Sequence, residues 1–140
     1  MSHKVTTLWN DNMQFDSDNP SGHHLTIDAS PDDGGKGEGL RPKAMMLSAL
    51  AGCSGLDVVS LLKKMRVELD AFKMVTEGFL TDEHPKYYHT VTVDYHFYGQ
   101  DLPEDKIEKA VTLSVEKYCG VMAMFRKFAN VKTAIHYHNQ

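Results

Sequence analysis

The sequence predicts an α+β fold with largely antiparallel sheet. Strand-like and helix-like segments run in blocks, β-β-β-α-β-β-α-α-β, rather than in strict alternation, and blocks of this kind segregate helices from an antiparallel sheet. One long apolar segment, Ala44 to Leu56, is flanked on both sides by period-two alternation, so a single helix is set among strands. With 140 residues, 41% apolar and 24% charged, the chain has the size and balance of one ordinary globular domain spanning 1–140.

The elements follow in order. "VTTLW", "MQFDSD" and "HHLTIDAS" alternate polar and apolar residues and are separated by "NDN" and "NPSG", whose Asn, Asp, Pro and Gly suit tight turns. Three short strands in a meander are expected. "SPDDGGKGEG", Ser30 to Gly39, is the one glycine-dense stretch and is expected to be a mobile loop. It lacks the spacing and the following Lys-Ser/Thr of a phosphate-binding loop. Pro42 fits the first turn of a helix that should run to about Met65. Over four turns this helix is apolar on nearly every side, so it is expected to be the buried spine of the core.

Val67 to Leu80 and "YYHTVTVDYHFYG" form the next pair of strands, with "DEHPK" as the turn between them. The second places Tyr87, His89, Val91, Val93, Tyr95 and Phe97 on one face. "DLPEDKIEKAVTLSVEKYC" carries Ile107, Ala110, Val111, Ser114, Val115 and Tyr118 at helical spacing. Asp101 and Glu104 read as a capping box, with Pro103 in the first turn. Gly120 breaks this helix, "VMAMFRKFA" makes a short third one, and "VKTAIHYH" closes the chain as a strand.

Charge and composition exclude several functions. The net charge is −4 and the basic residues are scattered, so no footprint for nucleic acid exists. Asp57, Lys63 and Lys64 interrupt the apolar helix, which is expected to pack in a core and not to span a membrane. "MSHKVTTLWN" has no charged segment followed by an apolar one, and a cytoplasmic location is expected.

Three groups of residues bear on chemistry. Cys53 and Cys119, the only cysteines, are either separate packing residues or a redox pair, since a structural disulfide is unattractive in a reducing compartment. A reactive Cys53 needs a lowered thiol pKa, and Asp57, four residues on along the same helical face, opposes that unless it is engaged elsewhere. Gly52 and Gly55 beside Cys53 let another helix approach closely. Among eight histidines, His136 and His138 share a strand face that His96 can join by pairing, although no recognised metal-ligand spacing accompanies them and no metal is expected. Ser48, Ser54 and Ser60 lack the setting of a nucleophilic serine.

"RPKAMMLSALAGCSGLDVVSLL" and "SVEKYCGVMAMF" together resemble the OsmC/Ohr family of hydroperoxide reductases. The shared features are a proline-started central helix with Ala-Gly-Cys near its middle, then a second cysteine followed by a small residue and valine. The resemblance implies an OsmC-like fold: an intertwined homodimer, antiparallel sheets wrapped around two central helices, and sites at the subunit interface. It implies reduction of small organic hydroperoxides without a cofactor, Cys53 being peroxidatic and Cys119 resolving, and a dithiol reductant restoring the pair.

Typical peroxidase members carry a glutamate ten residues before the first cysteine, and it orients an arginine from the N-terminal strands. Here Lys43 occupies the glutamate's position and no arginine precedes Arg41. Arg41 and Lys43 are therefore the candidate cations, although ten residues along an ideal helix lie about 80° off the cysteine's face. The chain thus looks closer to the divergent OsmC-like branch of that family. Two alternatives stand beside the peroxidase: a non-catalytic dimer of this fold that binds a small apolar ligand with structural cysteines, and a metal-dependent role for His136 and His138.

Overall fold

A computed structural model describes residues 1–140, which divide into two compact units, Met1–Met46 and Leu47–Gln140.

In the first unit, β1 (Thr7–Asp11), β2 (Gln14–Asp18) and β3 (His24–Ile27) form the expected antiparallel meander. The glycine-rich segment is pinned, where composition suggested mobility. A 3-10 turn spans Pro31–Asp33, and Asp28, buried at 2% exposure, gathers the segment around its carboxylate. The amides of Ala29 (2.8 Å), Glu38 (3.1 Å) and Lys36 (3.3 Å) donate to it. These bonds, that from Glu38 foremost, hold the Asp28 carboxyl below its ordinary range against the opposing effect of burial. Any side chain at Gly35 would collide with the Ala29 carbonyl, so here glycine serves close backbone packing.

The second unit holds most of α1 (Pro42–Lys64), then β4 (Ala71–Leu80), β5 (Tyr88–Gly99), α2 (Glu104–Leu113), a π turn (Ser114–Tyr118), α3 (Gly120–Phe125) and β6 (Asn130–Asn139). The sheet order is β4-β5-β6. β4 and β5 pair antiparallel, and β6 runs parallel to β5, the one parallel strand pairing in a largely antiparallel fold. The reason is the helical crossover through α2 and α3, which returns the chain to the end from which β5 started.

Val91, Val93, Tyr95 and Phe97 line the core face of β5 as expected, but Tyr87 and His89 are exposed and Tyr88 is buried. The register shifts between Phe79, opposite Thr90, and Leu80, opposite Tyr88. One extra residue at a bulge reverses the alternation beyond it. Tyr88 then lies over Gly78, where a Cβ would stand 2.5 Å from its ring. The capping box does not form either. Asp101 adopts φ +48°, Pro103 takes the cap position with no side-chain bond, and α2 starts at Glu104.

The largest correction concerns α1. By length and composition it is apolar enough to cross a membrane, yet the structure buries only the stripe Leu50, Ser54, Val58 and Leu62. Leu56 is 75% exposed, and Met46 and Val59 are exposed too. A three-stranded sheet and two short helices cover one side of a helix, so the rest of the apolar surface stays open in a single chain.

Candidate active site

Cys53 and Cys119 come together. Cys53 is half-buried on α1 and Cys119 is buried, capping the N-terminus of α3 where Met122 N–H donates to its Sγ at 3.3 Å. The π turn makes this possible: it ends the α2 segment early, and Cys119 N–H donates to Ser114 O (2.8 Å) to close it. Cys53 packs against the core cluster that contains Cys119. Burial pushes the Cys119 thiol up to about 11, with the neighbouring Cys53 and Asp57 adding in the same direction and the Met122 N–H opposing. Cys119 is therefore a protonated thiol at neutral pH.

Beside the pair runs a hydrogen-bonded chain that the sequence reading missed. Tyr95 Oη lies 2.6 Å from Ser54 Oγ, Ser54 Oγ 2.8 Å from Ser114 Oγ, and Ser114 donates to Asp57 Oδ2 at 3.1 Å. Tyr95, Ser54 and Ser114 are fully buried. Asp57, one turn beyond Cys53, is thus engaged by Ser114 while keeping its negative charge. Burial raises the Tyr95 phenol; the Ser54 bond opposes it, the Cys119 and Asp57 charges reinforce it, and Arg126 opposes it. The signal in the sequence was position. Ser54 falls on the stripe of Leu50, Val58 and Leu62, Ser114 on that of Ile107, Ala110 and Val111, and a hydroxyl at a core position demands a partner.

Arg41 Nη1 donates to the carbonyls of Gly39 (2.9 Å) and Asp28 (3.3 Å) within the first unit, and Lys43 is exposed in the first turn of α1. Arg126, at the end of α3, lies 3.8 Å from Glu116.

Cys53, Asp57, Ser60 and Lys64 share one stripe of α1. Asp57, Ser60, Leu61, Lys64 and Tyr118 line a cavity of about 350 Å³. Across the helix, Gly52, Gly55, Leu56, Val59, Phe72 and Met74 line an open groove of about 430 Å³. The histidines gather on the other face of the sheet. His96 Nδ1 and His138 Nε2 share a hydrogen bond of 2.9 Å, His136 stacks on His96 with centroids 4.5 Å apart, and His136 Nε2 bonds Asp94 at 2.7 Å. No three His, Cys, Asp or Glu side chains converge as a metal-ligand set.

A family model described as OsmC-like protein matches residues 35–134. Protein YhfA of Escherichia coli K12 is 31% identical over 123 residues, 88% of this chain and 89% of that protein. The crystal structure of a hypothetical protein from Aquifex aeolicus VF5 superposes with TM-score 0.86 at 30% identity, covering 100% of this chain and 98% of the other. An organic hydroperoxide resistance protein OsmC from Legionella pneumophila shares the fold with TM-score 0.70 at 18% identity, covering 97% of each chain.

Proposed function

The chain belongs to the OsmC-like protein family, and from that premise we propose that it is a homodimeric thiol peroxidase acting on small organic hydroperoxides. The observation that carries the reading is that Cys53 packs against the core cluster that contains Cys119, one thiol half-exposed and the other buried.

The accessible Cys53, as thiolate, attacks the terminal peroxide oxygen. The O–O bond breaks, the alkoxide leaves and takes a proton as the alcohol, and Cys53 becomes a sulfenic acid. Cys119 then attacks the sulfenic sulfur: the S–S bond forms, the S–O bond breaks, and the hydroxide departs as water with the thiol proton. A dithiol reductant returns both cysteines to thiols by exchange, which suits a reducing compartment such as the cytoplasm. Arg41 and Lys43 remain the candidate cations for Cys53.

The open apolar side of α1 supports the dimer, a state typical of this family. A contiguous apolar face of this kind is what a second copy covers. The groove along Leu56, Val59, Phe72 and Met74 favours a second reading, a non-catalytic dimer that holds a small apolar ligand.

Free-thiol counts on the reduced protein before and after a short pulse of cumene hydroperoxide decide between them. The peroxidase loses two thiols per chain, Cys119→Ser loses one and Cys53→Ser loses none. If the wild type keeps both thiols, the peroxidase reading is wrong and the ligand-binding one stands.

A further inference from the structure

Strand pairing arranges the outer face of the second sheet in rows. One row holds Lys73, His96 and His136, with Ala71, Tyr98 and His138 on one side of it and Val75, Asp94 and Ala134 on the other. His96 and His138, both half-buried, lie diagonally across β5 and β6, their planes 19° apart, and meet nitrogen to nitrogen at 2.9 Å. Two nitrogens that close need a hydrogen between them. A neutral imidazole carries a hydrogen on one ring nitrogen and a lone pair on the other, so two neutral rings can make this bond, and so can one neutral ring and one imidazolium. Two imidazolium rings cannot, because both facing nitrogens then carry hydrogens and two like charges oppose each other. The pair therefore takes a first proton with its bond intact and loses the bond with the second. His136 differs: its Nε2 already donates to the Asp94 carboxylate at 2.7 Å, and a proton added at Nδ1 leaves that bond in place.

The pair stands where β6 is tied to the start of α2. Gln140 N donates to Gly99 O (2.9 Å), Leu102 N donates to Asn139 Oδ1 (3.2 Å), and Tyr137 Oη donates to Glu104 O (3.2 Å). The charged groups around His96 are Lys73 on β4, Asp94 on β5, and His136 and His138 on β6, and the Tyr98 ring stacks on His138 with centroids 4.4 Å apart. Burial, then His136, Lys73 and His138, oppose a charge on His96, and Asp94 favours it. We propose that His96 and His138 form an acid-sensitive latch on the end of β6, closed while the two rings hold one hydrogen between them and opened when both are protonated. The rings titrate as one unit in two steps, and the latch follows the lower step. It frees the last residues of β6 and their hold on Leu102 while the central strand stays paired, a local opening that costs far less than global unfolding.

The test involves neither cysteine, so it fails or succeeds independently of the peroxidase reading. Amide hydrogen exchange is followed by NMR at about pH 7 and about pH 4.5, on either side of the ordinary imidazole range, with each rate normalised to that of an unstructured chain. The Leu102 and Gln140 amides report on the end of β6, and the Val93 amide, on the central strand, is the control. Protection of the two reporters is expected to fall about tenfold at the lower pH, the effect of losing one side-chain hydrogen bond, with Val93 unchanged. His138→Phe keeps a ring against Tyr98 but has no nitrogen, so its reporters should start less protected and lose their pH dependence. His136→Gln should keep the wild-type dependence. Reporters that stay protected at the lower pH, a Val93 amide that exchanges along with them, a pH dependence that survives in His138→Phe, or its loss in His136→Gln would each overturn the proposal. If His138→Phe does not fold, His96→Gln removes the other half of the pair and carries the same expectation.

Discussion

Replacing Ser54 by Ala tests the buried chain through stability. Ser54 is fully buried, and its Oγ serves Tyr95 at 2.6 Å and Ser114 at 2.8 Å. The substitution strips the Tyr95 phenol of its acceptor and leaves a buried donor unpaired, for which about 1–3 kcal/mol is typical, and it removes a second bond worth about 1 kcal/mol. A loss of about 2–3 kcal/mol is expected. Tyr95→Phe removes a donor and leaves Ser54 its own hydrogen on Ser114, so it should cost only about 1 kcal/mol. The two together should cost about 2 kcal/mol, well short of their sum, because the second change removes the group that the first left unpaired. Urea unfolding followed by circular dichroism at one fixed protomer concentration measures all three. Additivity to within about 0.5 kcal/mol would show the two hydroxyls to be energetically independent. A larger cost for Tyr95→Phe than for Ser54→Ala would reverse the donor direction.

Two further outcomes follow from the surface of the second unit. Burial, followed by the charges of His136, Lys73 and His138, holds His96 below the ordinary imidazole range against the pull of Asp94. The unfolded chain therefore takes this proton first: the stability contributed by neutral His96 is complete above about pH 6.5 and is lost as pH falls toward the lower folded-state midpoint. Thermal unfolding measured across this window should show a shallower acid decline for His96→Gln than for the wild type, and parallel declines would remove His96 from the account. Leu56 is 75% exposed on α1, so Leu56→Asp costs a lone chain little, but in a dimer it places a charge in the interface. Light scattering after size exclusion should report protomer mass for this variant and dimer mass for the wild type; dimer mass for both would place the interface elsewhere.

Much of the architecture was legible because local rules and the fold agree. Pro42 opens α1, the turn residues separate β1, β2 and β3, and alternation identifies the buried Val91, Val93, Tyr95 and Phe97. The errors arose where a non-local constraint overrode a local one. The bulge at His89 exchanged the buried tyrosine, Asp101 turned the chain instead of capping it, and carboxylate bonding at Asp28 ordered a glycine-rich segment that composition leaves free. In α1, Leu56 and Val59 are apolar without being covered in one chain, because hydropathy records a residue's preference for burial and not whether a partner surface exists.

By itself the sequence determined the element types, the family and the two cysteines worth watching, since periodicity, turn chemistry and motif are properties of neighbours along the chain. Only the tertiary structure decided that Cys53 packs into the cluster that holds Cys119 and that Ser114 donates to Asp57. These are distances of a few ångströms between residues remote in sequence. They depend on the π turn and on the parallel return of β6, whose geometry the packing of whole elements sets and no local pattern encodes.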